Sequence, residues 1–378
     1  RPSYGKNAKQ LSASESRVSD MIGLEPRKEM SKHFLYLAPV MAVFLTIFLG
    51  MVMFLILGKD PVRAITIIFI TPLTDLFTIS EMIVKATPLI LIGIGLSFGF
   101  RAGIWNIGAE GQFTIGALVG GTLPALYPHE GHWVLPIMCI SGIVGGMIWA
   151  AIPALLRSKF NTNEILVTLM LTYVAVLLLS VLVHGPLKDP EGLNFPESRL
   201  FNQSATLPIL ISGTRAHIGF LFAILAVIVA WIFLGRHILG FQVKVMGQSP
   251  KAASFAGFIE NRVVWGCLMV SGGLAGLAGI FEAAGPVGQL VPALPVGYGF
   301  TAIIVAFLGR LTPIGILIAG FVMALTYIGG EAAQIEMNLP SAIVGVFQGM
   351  FLFSLLGMDV FARYRIIRLR HASASART

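Results

Sequence analysis

An asparagine, a glutamate and a threonine recur at four-residue spacing in "RAGIWNIGAEGQFTIGAL", residues 101–118 of a 378-residue chain. On a continuous helix Asn106, Glu110 and Thr114 share one face, because side chains four residues apart lie one above the other; Gln112 points roughly to the opposite face. An amide that donates and accepts, a carboxylate that accepts and a hydroxyl are the groups that a hydroxyl-rich solute needs on leaving water. An ionised carboxylate against hydrocarbon is costly, so Glu110 is expected to face the protein interior or water. Gly103, Gly108 and Gly111 interleave with these residues and permit either close helix contact or a broken helix lining a cavity. Two roles stay open for the stripe: it borders a translocation pathway, or it bonds to neighbouring helices as an anchor.

Other chemistry is sparse. No GxxxxGK[ST], HExxH or CxxC pattern occurs, and the GxSxG match at Gly95–Gly99 lies inside an apolar run rather than at a strand-to-helix turn, so the chain has no visible machinery to hydrolyse ATP or to do covalent chemistry. No cofactor and no metal are expected in it. His129 and His132 in "YPHEGHW" lack a third ligand and read as a solvated turn. Cys139 and Cys267 lie in apolar segments and give no disulfide or zinc signal. Asn202 in "NQS" is a formal glycosylation acceptor, a common chance match. Glu282, Gln289 and Tyr298 fall near one end of apolar runs, where they either line an entrance or are solvated. Glu331, Gln334 and Glu336 read as a solvated acidic face that an external protein could meet.

The elements that carry these residues are membrane spans. Hydrophobic residues make up 56% of the chain and charged ones 12%, with mean hydropathy +0.84; soluble domains carry about 25% charged residues. The expected fold class is an all-α integral membrane protein with about ten transmembrane helices, near 34–57, 82–100, 103–126, 133–156, 164–184, 217–235, 263–284, 298–309, 313–330 and 340–357. The eighth is short and the third unusually polar. Basic residues concentrate on alternate connections, including Arg157, Lys159, Arg236, Lys244, Lys251 and Arg262, and at the C-terminal end. Both termini are therefore expected in the cytoplasm, and the net charge of +8 is read as orienting loops rather than a nucleic-acid surface. Lys59, Arg63 and Lys85 on the first outer connection are exceptions. Residues 1–33 read as a disordered polar cytoplasmic tail, 34–358 as the membrane domain and 359–378 as a basic cytoplasmic tail. Ten helices divide into two halves of five, a division compatible with inverted repeats, although the sequence similarity between halves is slight.

The longest cytoplasmic connection is 236–262, "RHILGFQVKVMGQSPKAASFAGFIENR". Gly247 and Pro250 bracket a turn, and Pro250 suits a helix first turn. "KAASFAGF" reads as a short helix closed by Gly257. Ala252, Ala253 and Ala256 form one small face beside Phe255 and Phe258, able to dock in a groove of another protein or to lie on the membrane. Farther on, Gly272 and Gly276 in "SGGLAGLAG" make a GxxxG pair for helix packing.

"VMGQSPKAASFAGF" resembles the cytoplasmic coupling loop of ABC-importer permeases of the ribose, nucleoside and branched-chain amino acid type, in Gly247, Ala252, Ala253 and Gly257. "NIGAEGQ", 106–112, resembles the simple-sugar and nucleoside branch that works with lipoprotein-type binding proteins. The resemblance spans roughly 34–358. It implies a permease subunit in the bacterial inner membrane, moving nucleosides or simple sugars, with a branched-chain amino acid as the alternative substrate. It implies a cytoplasmic ATP-binding subunit that holds ATP and Mg and contacts Gly247, Pro250, Ala252, Ala253, Ala256 and Gly257. A second, related but distinct permease subunit and an extracytoplasmic substrate-binding protein would complete the assembly. Asn106, Glu110, Gln112, Thr114, Glu282 and Tyr298 are the candidates for the translocation pathway. The rival class is an ion-coupled secondary transporter using Glu110 and Glu282.

Overall fold

The computed structural model describes residues 21–26, 32–127, 131–192, 194–340 and 342–369. Thirteen α-helices follow in chain order: α1 (Lys32–Ile56), α2 (Pro61–Phe69), α3 (Leu76–Arg101), α4 (Ala109–Leu126), α5 (Val134–Phe160), α6 (Glu164–His184), α7 (Gly219–Arg236), α8 (Ile238–Gln248), α9 (Pro250–Phe255), α10 (Glu260–Glu282), α11 (Tyr298–Leu308), α12 (Pro313–Met337) and α13 (Ala342–Arg363). The fold is all-helical apart from one antiparallel ribbon, β1 (Met21–Pro26) against β2 (Tyr364–Leu369), with Met21 opposite Leu369 and Pro26 opposite Tyr364. That ribbon joins parts of the two segments expected as tails; the rest of those segments on either side, 1–20 and 370–378, and His129 lie outside the described residues.

Seven helices among the described residues are long and apolar enough to cross a bilayer: α1, α3, α5, α6, α7, α10 and α12. The chain is a multi-pass membrane protein. Shorter apolar helices occupy 61–73, 298–308 and 342–358. α4 is long enough but is the polar segment singled out above.

Burial sorts these helices into a centre and a shell. α3 is buried over 83% of its most apolar stretch and α10 over 72%, whereas α1, α6 and α7 each bury 22%. α3 and α10 are apolar on all sides because protein surrounds them. The shell helices turn residues such as Phe44, Ile148, Leu177 and Val181 outward, as lipid-facing surfaces require.

Small residues set the closest approach. A Cβ on Gly276 would run into the Gly142 carbonyl, one on Gly272 into Gly146, and one on Gly116 into the Gly276 backbone. The Gly272/Gly276 pair thus packs α10 against both α4 and α5, where dispersion contacts replace the hydrophobic drive that lipid cannot supply. Polar side chains start the helices: Asp60 caps α2, Asp75 caps α3, Asn163 caps α6 and Thr312 caps α12.

Candidate translocation site

The stretch predicted as one helix from 103 is broken. α3 ends at Arg101, Gly103 takes a left-handed conformation (φ +73°), and 104–108 run without helix until α4 begins at Ala109. Glycine is favoured at that turn because a Cβ disfavours positive φ. Asn106 is therefore not one turn below Glu110 on a helix, and the expected stripe of Asn106, Glu110 and Thr114 does not form. Instead Asn106 pairs with Gln112, the residue expected on the opposite face. Asn106 Nδ2 donates to Gln112 Oε1 at 2.8 Å and to Ser271 Oγ at 2.9 Å; Gln112 Nε2 returns a bond to Asn106 Oδ1 at 3.2 Å. The same Oδ1 accepts Gly108 N–H at 3.1 Å, the local loop that asparagine favours. The Thr114 hydroxyl is spent on the Glu110 carbonyl, 2.7 Å away.

Glu110 is 2% exposed. It lies in the first turn of α4, and its carboxylate accepts the backbone N–H of Gly297 at 2.7 Å and also that of Gly299. Those amides open α11, whose first residue is Tyr298. The carboxylate thus sits where the positive ends of two helix dipoles converge, and it satisfies amides that α11 itself leaves unbonded. Gly299 lets the helices meet: a Cβ there would overlap the Glu110 backbone. α11 has 11 residues, about 16 Å at 1.5 Å per residue, so it is about half the length that a membrane span needs. Just beyond its far end, the Leu311 carbonyl accepts Arg101 Nε–H at 2.8 Å. Glu110 and Arg101 therefore contact opposite ends of the α11 segment.

A second polar layer extends from α11. Tyr298 OH donates to Glu282 Oε1 at 3.1 Å, and Lys85 Nζ stands 5.6 Å from the Tyr298 ring centre. Thr301 and Tyr327 share a hydrogen bond of 2.9 Å, and Thr301 Oγ1 donates to Gln348 Oε1 at 3.4 Å. Lys85 also pairs with Glu331 at 4.0 Å. Glu282 and Tyr298 are buried and bonded to each other, whereas Gln289 bonds to Glu197 at 2.9 Å. At the same end Arg215 grips Glu81 with two bonds, Nε to Oε1 at 2.9 Å and Nη2 to Oε2. The Glu81 hydrogen bond raises the pKa of this guanidinium above its ordinary value.

At the opposite end lies the 236–262 connection. α8 and α9 are separated by Ser249, which caps α9 from its hydroxyl. Pro250 opens α9, and Gly257 follows it at φ +78°. Ala253 is fully buried against the chain, so it does not belong to a docking face, and the predicted Ala252–Ala253–Ala256 face is corrected: the exposed surface is Ala252, Ser254, Phe255 and Ala256, with Phe255 94% exposed. Gly247 touches the Arg101 turn so closely that a Cβ would overlap the Arg101 carbonyl, and its Cα is 4.0 Å from where a Gly103 Cβ would stand. The turn that launches 103–108 therefore rests on the loop carrying α9. α6 holds the same stretch from the side: Glu164 Oε1 accepts Trp105 N–H at 3.3 Å while pairing with Arg157, and Thr168 Oγ1 accepts Ile107 N–H at 3.2 Å.

Lys85, Tyr327, Ser271, Gly297, Gly299 and the Glu81–Arg215 pair were not among the sequence candidates. Lys85 carried a signal, a lone cation in an apolar helix; the others are brought in by tertiary contact alone. No group of three or more potential metal ligands occurs among the described residues.

The profile of the family described as "Branched-chain amino acid transport system / permease component" matches residues 78–356, which includes the broken segment, α11 and the α8–α9 loop. The chain belongs to this permease family. Its permease relatives include the glucose ABC transporter permease protein TsgB13 of Haloferax volcanii, 36% identical over 91% of this chain and 93% of that protein. The guanosine ABC transporter permease protein NupP of Bacillus subtilis is 28% identical over 82% of this chain and 90% of its own length. The nucleoside ABC transporter permease protein NupB of Lactococcus lactis is 27% identical over 84% of this chain and 89% of its own.

Proposed function

We propose that this permease is the membrane subunit of an ATP-driven importer for nucleosides or simple sugars. Two permease subunits would enclose the path, an external protein would deliver the solute, and ATP and Mg would reside in a separate ATP-binding subunit. The observation that carries the reading is the continuous contact from α9 to the membrane interior: Phe255 projects outward, Gly247 bears on the Arg101 turn, the 103–108 segment follows, and Glu110 ends it on the amides of α11. A push on α9 would move the broken segment and the short helix together, the kind of two-state element that alternating access needs.

In this reading α4, α11 and α13 complete ten crossings with the seven long helices, and the 102–108 and 283–297 segments are breaks inside protein, where non-helical backbone is tolerated. The pairing of 21–26 with 364–369 supports a reading with both termini on one side of the membrane, as an even number of crossings requires. The distribution of basic residues supports the cytoplasm as that side. An ion-coupled transporter would need Glu110 or Glu282 available to a cation, but both carboxylates are engaged by internal donors.

The relatives handle glucose, guanosine and nucleosides, and hydroxyl-bearing solutes suit a sparse polar lining whose affinity resides in the delivery protein. Calorimetric titration of the cognate external binding protein with guanosine, glucose and leucine tests the substrate class. Saturable binding of a nucleoside or sugar is expected; binding of leucine alone would overturn it.

A further inference from the structure

We infer that Arg157 is a positioning residue for transport: it ties the start of α10, directly after the α8–α9 loop, to the broken segment and through that segment to the far end of α11. This role rests on the proposed ATP-driven import, for which it supplies a second route from α9. The charges stand where helix ends favour them. Arg157 lies in the last turn of α5, Glu164 in the first turn of α6 and Glu260 at the first position of α10. Arg157 Nη1 donates to Glu164 Oε1, and its Nη2 stands 3.7 Å from Glu260 Oε1. One guanidinium thus serves two carboxylates, Glu164 mostly buried and Glu260 exposed.

The unequal pairs give the two carboxylates different tasks. Glu164 Oε1 also accepts Trp105 N–H at 3.3 Å, so its position sets where the broken segment leaves the Arg101 turn. Trp105 carries that position onward. Its ring stacks on Phe307 at 5.8 Å, in the last turn of α11, and Phe100 closes the trio at 5.1 Å from each ring. One segment therefore holds α11 at both ends, at its start through Glu110 and at its far end through Trp105. A helix gripped at both ends follows the segment as a body. Glu260, by contrast, faces the loop. A cavity of about 110 Å³ lies between Ala102, Gly103, Gly247 and Pro250, with Arg157 and Glu260 also lining it. The loop meets the turn at Gly247 and leaves unfilled space beside the charges, whereas a close-packed contact would resist motion there. Removing Arg157 leaves the mostly buried Glu164 carboxylate uncompensated and free to leave Trp105.

The full-length chain, assembled in vesicles with its partner subunits and the external binding protein, is assayed for nucleoside or sugar taken up per ATP hydrolysed in response to the binding protein. Hydrogen exchange at the 104–107 amides is followed beside it. A merely structural role lowers uptake and hydrolysis together and leaves their ratio unchanged. Arg157→Gln is expected to lower the ratio by about fivefold or more, the scale of coupling between sites, and to speed exchange at 104–107. Arg157→Lys keeps the charge but not the fork that reaches both carboxylates, and should lower the ratio about twofold; it keeps the inference testable where Arg157→Gln does not assemble. Glu260→Gln should lower the ratio about twofold, because an exposed pair contributes little, with exchange at 104–107 unchanged. Combining it with Arg157→Gln should add nothing further, since both act through one contact. Phe307→Leu, which keeps an apolar side chain and removes the ring, should also lower the ratio. An unchanged ratio in Arg157→Lys or Phe307→Leu, or additive losses in the double variant, would each overturn the inference while the native assembly still imports with ATP. A native assembly that moves solute without ATP would overturn the proposed function and this role with it.

Discussion

The Glu110 carboxylate accepts the Gly297 amide at 2.7 Å, joining the first turn of α4 to the start of α11 across 187 residues of sequence. The polar group that stands out most in the apolar chain thus ties the starts of two helices together. Its removal should cost stability before it costs anything else. Glu110→Gln keeps one acceptor but loses the charge and turns an N–H toward amides that also donate. The expected loss is about 1–2 kcal/mol, read as a lower melting temperature in detergent, with transport falling in proportion to folded protein. Unchanged melting together with lost transport would instead place Glu110 in the pathway.

Gly247 should tolerate nothing larger. A Cβ there overlaps the Arg101 carbonyl, so Gly247→Val forces α8 away from the turn, at a cost on the order of 1–3 kcal/mol. The expected signature in the assembled transporter is uncoupling: ATP hydrolysis persists while solute uptake drops at least about tenfold, a barrier or coupling change of 1.4 kcal/mol. Equal loss of both activities would show that the contact serves assembly alone.

Ala253 and Phe255 should behave oppositely. Ala253 is fully buried and Phe255 is 94% exposed. Ala253→Arg buries an unpaired charge and should destabilise the loop by about 3 kcal/mol or more, visible as lost folded yield. Phe255→Asp should leave folding within about 0.5 kcal/mol and abolish capture of the ATP-binding subunit in a pull-down. Normal capture by Phe255→Asp would remove α9 from the docking surface.

His217 gives a pH dependence with a definite sign. It lies just before α7, buried, with Nδ1 accepting Gly219 N–H at 3.2 Å, and burial lowers its pKa from 6.5 to about 4. The folded state therefore holds the neutral ring, and the unfolded state takes up the proton first. Its contribution is complete above about pH 6.5 and declines as pH falls toward 4. Melting temperature in that window should fall more steeply for the native chain than for His217→Asn, which keeps an acceptor without titrating. Parallel curves would contradict this.

Composition and apolar run length made the membrane class and the helix positions legible, because lipid leaves the backbone so few alternatives. The break at 103–108 was not legible as a break: glycines signalled it, but spacing alone could not choose between a tight packing face and an interrupted helix. Placing Asn106 on the helix followed from that choice and sent its amide to the wrong partner. Glu110 was recognisable as interior from the cost of burying its charge, yet its partners are backbone amides of α11, which no side-chain pattern announces. Ala253 was misread because three small residues on a short helix do not reveal which side meets the rest of the chain.

ATP dependence of solute entry is the measurement that decides the proposed mechanism. Vesicles containing this chain, its second permease subunit and the ATP-binding subunit, with the external binding protein added outside, are assayed for labelled nucleoside or sugar with and without ATP enclosed. Uptake is predicted only when ATP and the binding protein are both present, and it should disappear with Phe255→Asp. Uptake by this chain alone, driven by a proton or sodium gradient without ATP, would contradict it.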